Sequence, residues 1–398
     1  MSPAGRYREV DALRGFALFG VLLVNLYGFG ADSLAWDGTP DRVFWQIKHV
    51  FFESKFWGLF SLLFGLSFWL QNRNGTRFWS MIRRFLALMA FGLGNALLFE
   101  GDILMLYAEL GFVLLLLHWM PDRILLLLAL LLFLVFPIAH WQYPDRGGSD
   151  FADGPEEARE WLAEDRADSL YSTGSLADIV AEHAHYLPER PWQDYQWPDS
   201  GFAVLGLLLV GYAMGRSGTL DRLAAHASTT LRRGSVLAVS GLAIMTLERA
   251  IAHVWGFQPY GDGLDDSGRQ LIGDLAFLAG TLVLTAAWFC LALGLAVWYR
   301  DRLVVRLLES VGRISLTTYL CQTLIFTTLF YGYGLGLAYR IGPLGVTLLA
   351  LVIFPLQMLF AHWWLSRFAM GPVEWLWRLA TDLRLRTLRA TPPPGPAP

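Results

Sequence analysis

Charged side chains stand at the entrance to the first long apolar stretch of this sequence. Asp11 and Arg14 precede an apolar run that carries Asn25. Eleven residues at 100° each bring Arg14 and Asn25 to one helix face, about 16 Å apart along the axis. Because charge is costly in hydrocarbon, such residues are paired, anchored at the interface or functional. The pattern predicts a charged mouth at Arg14 and a polar stripe that runs inward from it.

A second arginine opens a similar stripe near the other end of the chain. Arg313 is followed by Ser315, Tyr319 and Gln322, which share one face of a helix. Two arginines at one mouth would form a bidentate site for a phosphate or a carboxylate. The alternative interpretation is that each arginine only anchors its helix at the cytoplasmic interface.

Acid–base chemistry could come from the second and fourth apolar stretches. His49 and Glu53 stand four residues apart and can touch on a helix. Lys55 is either a structural partner of Asp102 or Glu53, or it has a function, as an amine with a shifted pKa or as a docking point for an anionic group. Asp102 begins a helix, where a carboxylate also serves as a cap. We list all four, His49, Glu53, Asp102 and Lys55, as candidate catalytic residues.

Several classes of chemistry have no support in the sequence. No histidines have the spacing of metal ligands, and the two cysteines, Cys290 and Cys321, lie in apolar segments. No phosphate-binding glycine loop is present. We expect no metal site, no permanently bound cofactor and no nucleic-acid partner.

Membrane helices must position these residues. The chain has 398 residues, of which 55% are hydrophobic and 16% charged. Recurrent apolar runs of about 20 residues predict an all-α polytopic bundle that forms one transmembrane domain over 1–398. About ten spans are predicted, with the approximate limits 14–31, 44–70, 79–99, 102–119, 123–141, 200–215, 235–256, 271–299, 311–335 and 343–367. Arginines concentrate on the side of the N-terminus, which places both termini in the cytoplasm.

One loop, 144–199, is long and acidic, with 14 acidic residues against four arginines. A proline at 155 followed by acids predicts a surface helix, and a second helix is expected over 175–186. The loop is either a solvated acidic cap or a lid over an external cavity. A lid would line the cavity with the aromatic residues Tyr186, Trp192, Tyr195 and Trp197. The proline-rich end, 391–398, is expected to be disordered.

Five motifs occupy residues 11–25, 55–65, 101–107, 311–325 and 371–378. Together they resemble the YeiB-like family of bacterial inner-membrane proteins. The resemblance spans nearly the whole chain and is weakest in the acidic loop. It implies a multi-pass protein of the bacterial inner membrane.

The first motif, Asp-x-x-Arg-Gly, also resembles a wider superfamily of transmembrane acyltransferases. That superfamily includes enzymes that O-acetylate surface sugars and the lysosomal heparan-glucosaminide acetyltransferase. The resemblance implies a cytoplasmic acyl-CoA site and an acceptor outside, assisted by a histidine. Here the corresponding histidine positions hold Asn25 and Ser33. Asparagine is not a general base near pH 7, so His49, Glu53 or Asp102 would have to serve.

The sequence therefore predicts an acyltransferase-like membrane protein with acyl-CoA as its donor substrate and a lipid or glycan as acceptor. Membrane lipids would surround it, and its oligomeric state stays open. A transporter or flippase for an amphipathic or anionic solute is the alternative. The expected donor-binding residues are Asp11, Arg14, Asn25, Arg313, Tyr319 and Gln322.

Overall fold

A computed structural model gives the fold of residues 7–33, 35–73, 75, 78–142, 155–193, 195, 201–255, 267–383 and 388. Helices joined by turns make up this described part of the chain, so the all-α prediction is confirmed. The helices are α1 (Arg8–Tyr27), α2 (Thr39–Ile47), α3 (Lys55–Arg73), α4 (Phe78–Ala96), α5 (Leu104–Leu117), α6 (Asp122–Gln142), α7 (Pro155–Asp168), α8 (Leu170–Thr173), α9 (Leu176–Tyr186), α10 (Arg190–Gln193), α11 (Gly201–Arg216), α12 (Thr219–Ala225), α13 (Ala227–Trp255), α14 (Ser267–Trp298), α15 (Leu303–Arg313), α16 (Ser315–Phe330), α17 (Pro343–Leu365) and α18 (Pro372–Asp382).

Every predicted span coincides with a helix of the bundle, but length and hydropathy select fewer of them. Six described segments are long and apolar enough to cross a membrane: Arg8–Tyr27, Thr39–Arg73, Asp122–Ala139, Ala227–Ile251, Leu271–Trp298 and Pro343–Leu365. A seventh is obtained if α11 and α12, bent by 69°, form one span. The helical membrane bundle is thus supported, and the count of about ten stays a prediction.

Two predicted spans are interrupted beside charged residues. A π-helical turn, Lys48–Phe52, follows α2, and Ser54 then adopts a left-handed φ of 59° before α3 begins. Single π turns are frequent at functional sites because they re-aim side chains. The ninth span also breaks, since α15 ends at Arg313 and α16 begins only after Ile314. Both breaks bring polar residues to helix ends, where they can face a cavity.

Small residues set the contact between α3 and α11, since Ser61…Gly65 and Gly211…Gly215 both have the helical spacing that favours close helix contacts. A Cβ on Gly65 would lie 2.0 Å from the Leu208 carbonyl oxygen, and one on Gly211 would lie 2.0 Å from that of Leu62. The two backbones therefore touch, as small residues allow in membrane bundles.

Helix α15 packs on α1 through two further glycines, which place Arg14 of α1 and Arg313 of α15 near each other. A Cβ on Gly15 would lie 2.1 Å from the Leu308 carbonyl oxygen, and one on Gly312 would clash with the Asp11 carbonyl oxygen. Asp11 and Arg14 are therefore pressed against the end of α15 that carries Arg313.

The substitution Gly312→Ala is expected to force α1 and α15 apart. The clash involves backbone, so overpacking should cost about 1–3 kcal/mol and lower the melting temperature of the purified protein. Gly94→Ala is the matched control, because Gly94 has open space around its Cβ position. Equal melting temperatures for both variants would contradict this role of Gly312.

Two helices of the acidic loop follow the prediction. Helix α7 begins at Pro155, and α9 covers Leu176–Tyr186 behind a capping box formed by Ser175 and Asp178. The proline-rich end lies outside the described residues.

Candidate functional site

A cavity of about 450 Å³, which we call the inner cavity, opens between α1, α3, α4, α5, α15, α16 and α18. Arg14 and Arg313 both line it, so the two arginines expected at one mouth do share one space. The polar and charged lining residues are Tyr7, Asp11, Arg14, Ser67, Gln71, Arg84, Tyr107, Arg313, Ser315, Tyr319, Glu374 and Arg378. Its volume lies within the usual range for small-molecule sites.

Arg14 is fixed on two sides. Its guanidinium donates to Asp11 Oδ1 at 2.8 Å and to Ser67 Oγ at 2.5 Å. The Asp11 side chain is only 6% exposed, whereas that of Arg14 is 26% exposed. The pair therefore holds the arginine head at the cavity wall with part of its surface open to a ligand.

Two further arginines of the inner cavity were not singled out from the sequence. Arg84 of α4 lies 3.8 Å from the ring centroid of Trp377, whose indole nitrogen donates to the Arg84 carbonyl oxygen at 3.0 Å. Arg378, the residue after Trp377 on α18, also lines the cavity. The C-terminal motif at 371–378 contains Arg378, but the sequence does not reveal that α18 folds back onto the cavity.

Glu374 of α18 is held at the start of α16. Its Oε1 accepts hydrogen bonds from the backbone of Leu316 and Thr317, at 2.8 and 3.0 Å, and its Oε2 accepts one from the Thr317 hydroxyl. A carboxylate at a helix N-terminus is favourable in this position. Since Asp11 faces Arg14 and Glu374 caps α16, the cavity wall keeps an excess of positive charge.

Apolar residues line the deep part of the inner cavity, which ends at two tyrosines. Phe60, Leu63 and Phe64 of α3 line it, and Tyr107 contacts the Ser61 hydroxyl at 2.7 Å. Tyr319 closes the same end. The space is therefore amphipathic, with guanidinium groups at its mouth and aromatic rings inside.

A second space, the outer cavity, has a volume of about 410 Å³. Its charged lining residues are Asp32, Lys48, Glu53 and Glu100. Lys48, which is 2% exposed, donates to Asp32 at 2.5 Å and to Glu53 at 3.0 Å. Two carboxylates thus surround one buried ammonium group, a good geometry for a buried charge.

The π turn explains this cluster. It brings Glu53 back toward Lys48, and His49 Nδ1 contacts the same carboxylate, as the four-residue spacing predicted. The His49 ring stacks on Trp45 and is buried. Of these two candidates for acid–base chemistry, Glu53 lines the cavity and His49 stands behind it.

The structure separates two residues, Asn25 and Gln322, from the predicted donor site. Asn25 lines the outer cavity, eleven residues along α1 from Arg14. Gln322 donates from Nε2 to Gln357 Oε1 at 3.1 Å, so it joins α16 to α17 away from both cavities. The stripe expected above Arg313 therefore reaches only to Tyr319, because the cavity ends there and Gln322 lies almost one turn further along α16.

Two candidate catalytic residues lie in the packed interior. Lys55 is fully buried, donates to the His49 carbonyl oxygen at 3.0 Å and lies 4.9 Å from the Phe277 ring centroid. Asp102 is 4% exposed, and its carboxylate accepts from Asn95 at 2.7 Å and from the Met105 backbone at 3.0 Å. This geometry favours the capping interpretation of Asp102.

The acidic loop reaches the outer cavity through a residue that sequence reasoning missed. Tyr171 lines the cavity and donates to Glu100 at 3.0 Å, and its hydroxyl lies 3.1 Å from His183 Nε2. Burial raises the pKa of the Tyr171 phenol and lowers that of the His183 imidazole, so both stay neutral at pH 7. Tyr186, expected in the lid, is 48% exposed instead. The side chains of Trp192 and Trp197 lie outside the described residues.

Two family models match different halves of the chain. Residues 208–384 match the family described as "Protein of unknown function (DUF418)". The uncharacterized protein YxaH of Bacillus subtilis is 31% identical over 95% of this chain and 94% of its own length. The chain belongs to the YeiB-like family. YeiB of Escherichia coli itself is 28% identical over 94% of this chain and 95% of its own length.

The N-terminal part of this YeiB-like protein carries a second likeness. Residues 6–143 match the model described as "Heparan-alpha-glucosaminide N-acetyltransferase, catalytic". This stretch contains Asp11, Arg14, Asn25, the Lys48–Glu53 turn and Tyr107. The YeiB-like protein is thus a membrane protein that is acyltransferase-like over a part that contributes residues to both cavities. No solved structure matches the chain.

Proposed function

We propose that this YeiB-like protein transfers an acyl group from a cytoplasmic acyl-CoA-type donor to an acceptor on the outer side of the bacterial inner membrane. The observation that carries the proposal is the inner cavity, with four arginines at its walls and an apolar depth. Guanidinium groups bind phosphates bidentately, and the aromatic interior suits the thioester arm. The acetyltransferase-like stretch forms much of this cavity.

The outer cavity would receive the acceptor, a lipid or a glycan. The acceptor oxygen or nitrogen forms a bond with the thioester carbonyl carbon, the carbon–sulfur bond breaks, and CoA leaves as a thiol. The proton released by the acceptor passes to Glu53 and from there to the leaving sulfur. Glu53 suits this role because it is the candidate acid–base residue that lines the outer cavity.

Transport of an anionic amphipathic solute is the second candidate. It is favoured by the presence of two cavities of similar volume, about 450 and 410 Å³, in one helical bundle. A transporter would release its solute unchanged, whereas the proposed reaction consumes the donor thioester. Product analysis after incubation with proteoliposomes separates these two functions.

The variant Arg313→Gln is expected to bind acyl-CoA about 10–100-fold more weakly than the wild type, because a charged hydrogen bond contributes about 1.5–3 kcal/mol. Isothermal titration of detergent-solubilised protein with acetyl-CoA and palmitoyl-CoA measures this loss. Arg306→Gln is the matched control, since Arg306 lies on the same helix but is exposed. It should bind as the wild type does.

A thioester of pantetheine, which has no phosphate, provides the second control. It should bind weakly to the wild type and to Arg313→Gln alike. No binding of either acyl-CoA by the wild type, or equal affinity for wild type and Arg313→Gln, would overturn the donor-site assignment.

A further inference from the structure

Neighbouring residues of one short segment of chain line the inner and the outer cavity. Gly101 lines the outer cavity, whereas Ile103 and Leu104 line the inner one. Positions two residues apart are at most about 7 Å apart even in an extended chain. The wall between the cavities is therefore one backbone segment thick at 101–104. Along α1, by contrast, eleven residues separate the inner-cavity residue Arg14 from the outer-cavity residue Asn25.

A single phenol ties this segment to α16. The Tyr319 hydroxyl accepts a hydrogen bond from the Ile103 backbone N–H at 3.2 Å and lies 3.5 Å from the Gly101 carbonyl oxygen. Tyr319 is 2% exposed and lines the inner cavity. The hydroxyl thus contacts backbone groups from both sides of the wall.

The remaining contacts of the segment hold it from other directions. The Asp102 side chain accepts hydrogen bonds from Asn95 of α4 and from the Met105 backbone. Its backbone carbonyl oxygen accepts one from Arg190 of the acidic loop. On the side that faces α16, Tyr319 makes the hydrogen bonds to the segment. Movement of this one side chain would free the backbone groups that now close the wall.

We propose that residues 101–104 form the barrier of a single transmembrane path and that Tyr319 is the latch that keeps it closed. In terms of the proposed function, on which this inference partly rests, the reactive end of the donor would meet the acceptor where this barrier opens. The barrier itself is defined by contacts on the path and can be measured without any reaction. Tyr319 is then a positioning residue.

Cysteine accessibility tests the barrier directly. In protein with Cys290→Ala and Cys321→Ala, Ser315→Cys reports on the inner cavity and Asn25→Cys on the outer one. A charged, membrane-impermeant methanethiosulfonate is added to one side of oriented proteoliposomes. We expect Ser315→Cys to react only from the cytoplasmic side and Asn25→Cys only from outside.

Adding Tyr319→Ala should abolish this sidedness, so that Ser315→Cys reacts from both sides. Tyr319→Phe preserves shape and loses only the hydroxyl, and it should allow slow labelling from outside. Tyr107→Ala is the matched control, because Tyr107 lines only the inner cavity, and it should keep the sidedness. Labelling of Ser315→Cys from outside with Tyr319 intact would show that residues 101–104 do not form a barrier.

Unchanged sidedness in both Tyr319 variants, with their melting temperatures retained, would show that Tyr319 does not keep the barrier closed. Neither result depends on acyl-CoA. If the protein fails to bind acyl-CoA but shows the predicted sidedness, only the proposed function fails.

Discussion

Substituting Glu53 by glutamine is expected to lower acyl transfer by at least about 100-fold, the usual range for loss of a general acid–base group. Glutamine preserves the shape of the side chain but cannot take the acceptor proton. Donor affinity should not change, because Glu53 lies in the outer cavity and the arginines lie in the inner one. The measurement is release of CoA thiol from acetyl-CoA by membrane vesicles of expressing cells, together with a binding titration of the same variant.

Glu100→Gln is the matched control for this experiment. Glu100 lines the same cavity and carries the same charge, but it is exposed and is hydrogen-bonded by Tyr171. The fold should tolerate Glu53→Gln, since Lys48 keeps its contact with Asp32. Wild-type release of CoA by Glu53→Gln would remove Glu53 from the mechanism. A parallel loss of donor binding would instead indicate a disturbed structure.

The helical bundle was predictable because its signals are local. Apolar runs and the proline that begins α7 each act within one segment of chain, and each gave a helix close to its expected limits. The glycine contact of α3 with α11 was predictable for the same reason. Small residues at helical spacing permit a close approach whatever the partner helix is.

The division of the site into two cavities was not predictable, since it depends on breaks within spans. Periodicity places His49 and Glu53 on one face, but the π turn also recruits Lys48, one of only two lysines in the chain. The break at Ile314 likewise divides the predicted ninth span into α15 and α16, between Arg313 and Ser315. Short irregularities of this kind leave no mark on a hydropathy pattern.

Contacts between distant segments account for the other omissions. Nothing local in the sequence indicates that α18 returns to α4 and α16, so Arg84, Glu374 and Arg378 could not be assigned to the mouth with Arg14. Tyr171 was missed for a similar reason, because the aromatic residues of the acidic loop differ only in which of them the tertiary fold turns inward.

Arg14→Gln is expected to have two separable effects. It removes a charged hydrogen-bond donor from the inner cavity, which should weaken acyl-CoA binding about 10–100-fold. It also leaves the Asp11 carboxylate, 6% exposed, without its 2.8 Å partner. Breaking a fully buried pair costs about 3–5 kcal/mol and an exposed one less than about 1 kcal/mol. Because Arg14 is partly open to the cavity, we expect a loss of about 2 kcal/mol.

The double variant Asp11→Asn/Arg14→Gln distinguishes these effects. With no carboxylate left to bury, most of the lost thermal stability should return, whereas acyl-CoA affinity should stay low. Asp11→Asn alone keeps the guanidinium and removes a charge that repels phosphate, so it should bind the donor at least as well as the wild type. Melting temperatures and titrations of all four proteins form a complete cycle. Recovery of affinity together with stability in the double variant would show that Arg14 only supports the fold, and the donor site would then have to be assigned to Arg84, Arg313 and Arg378 alone.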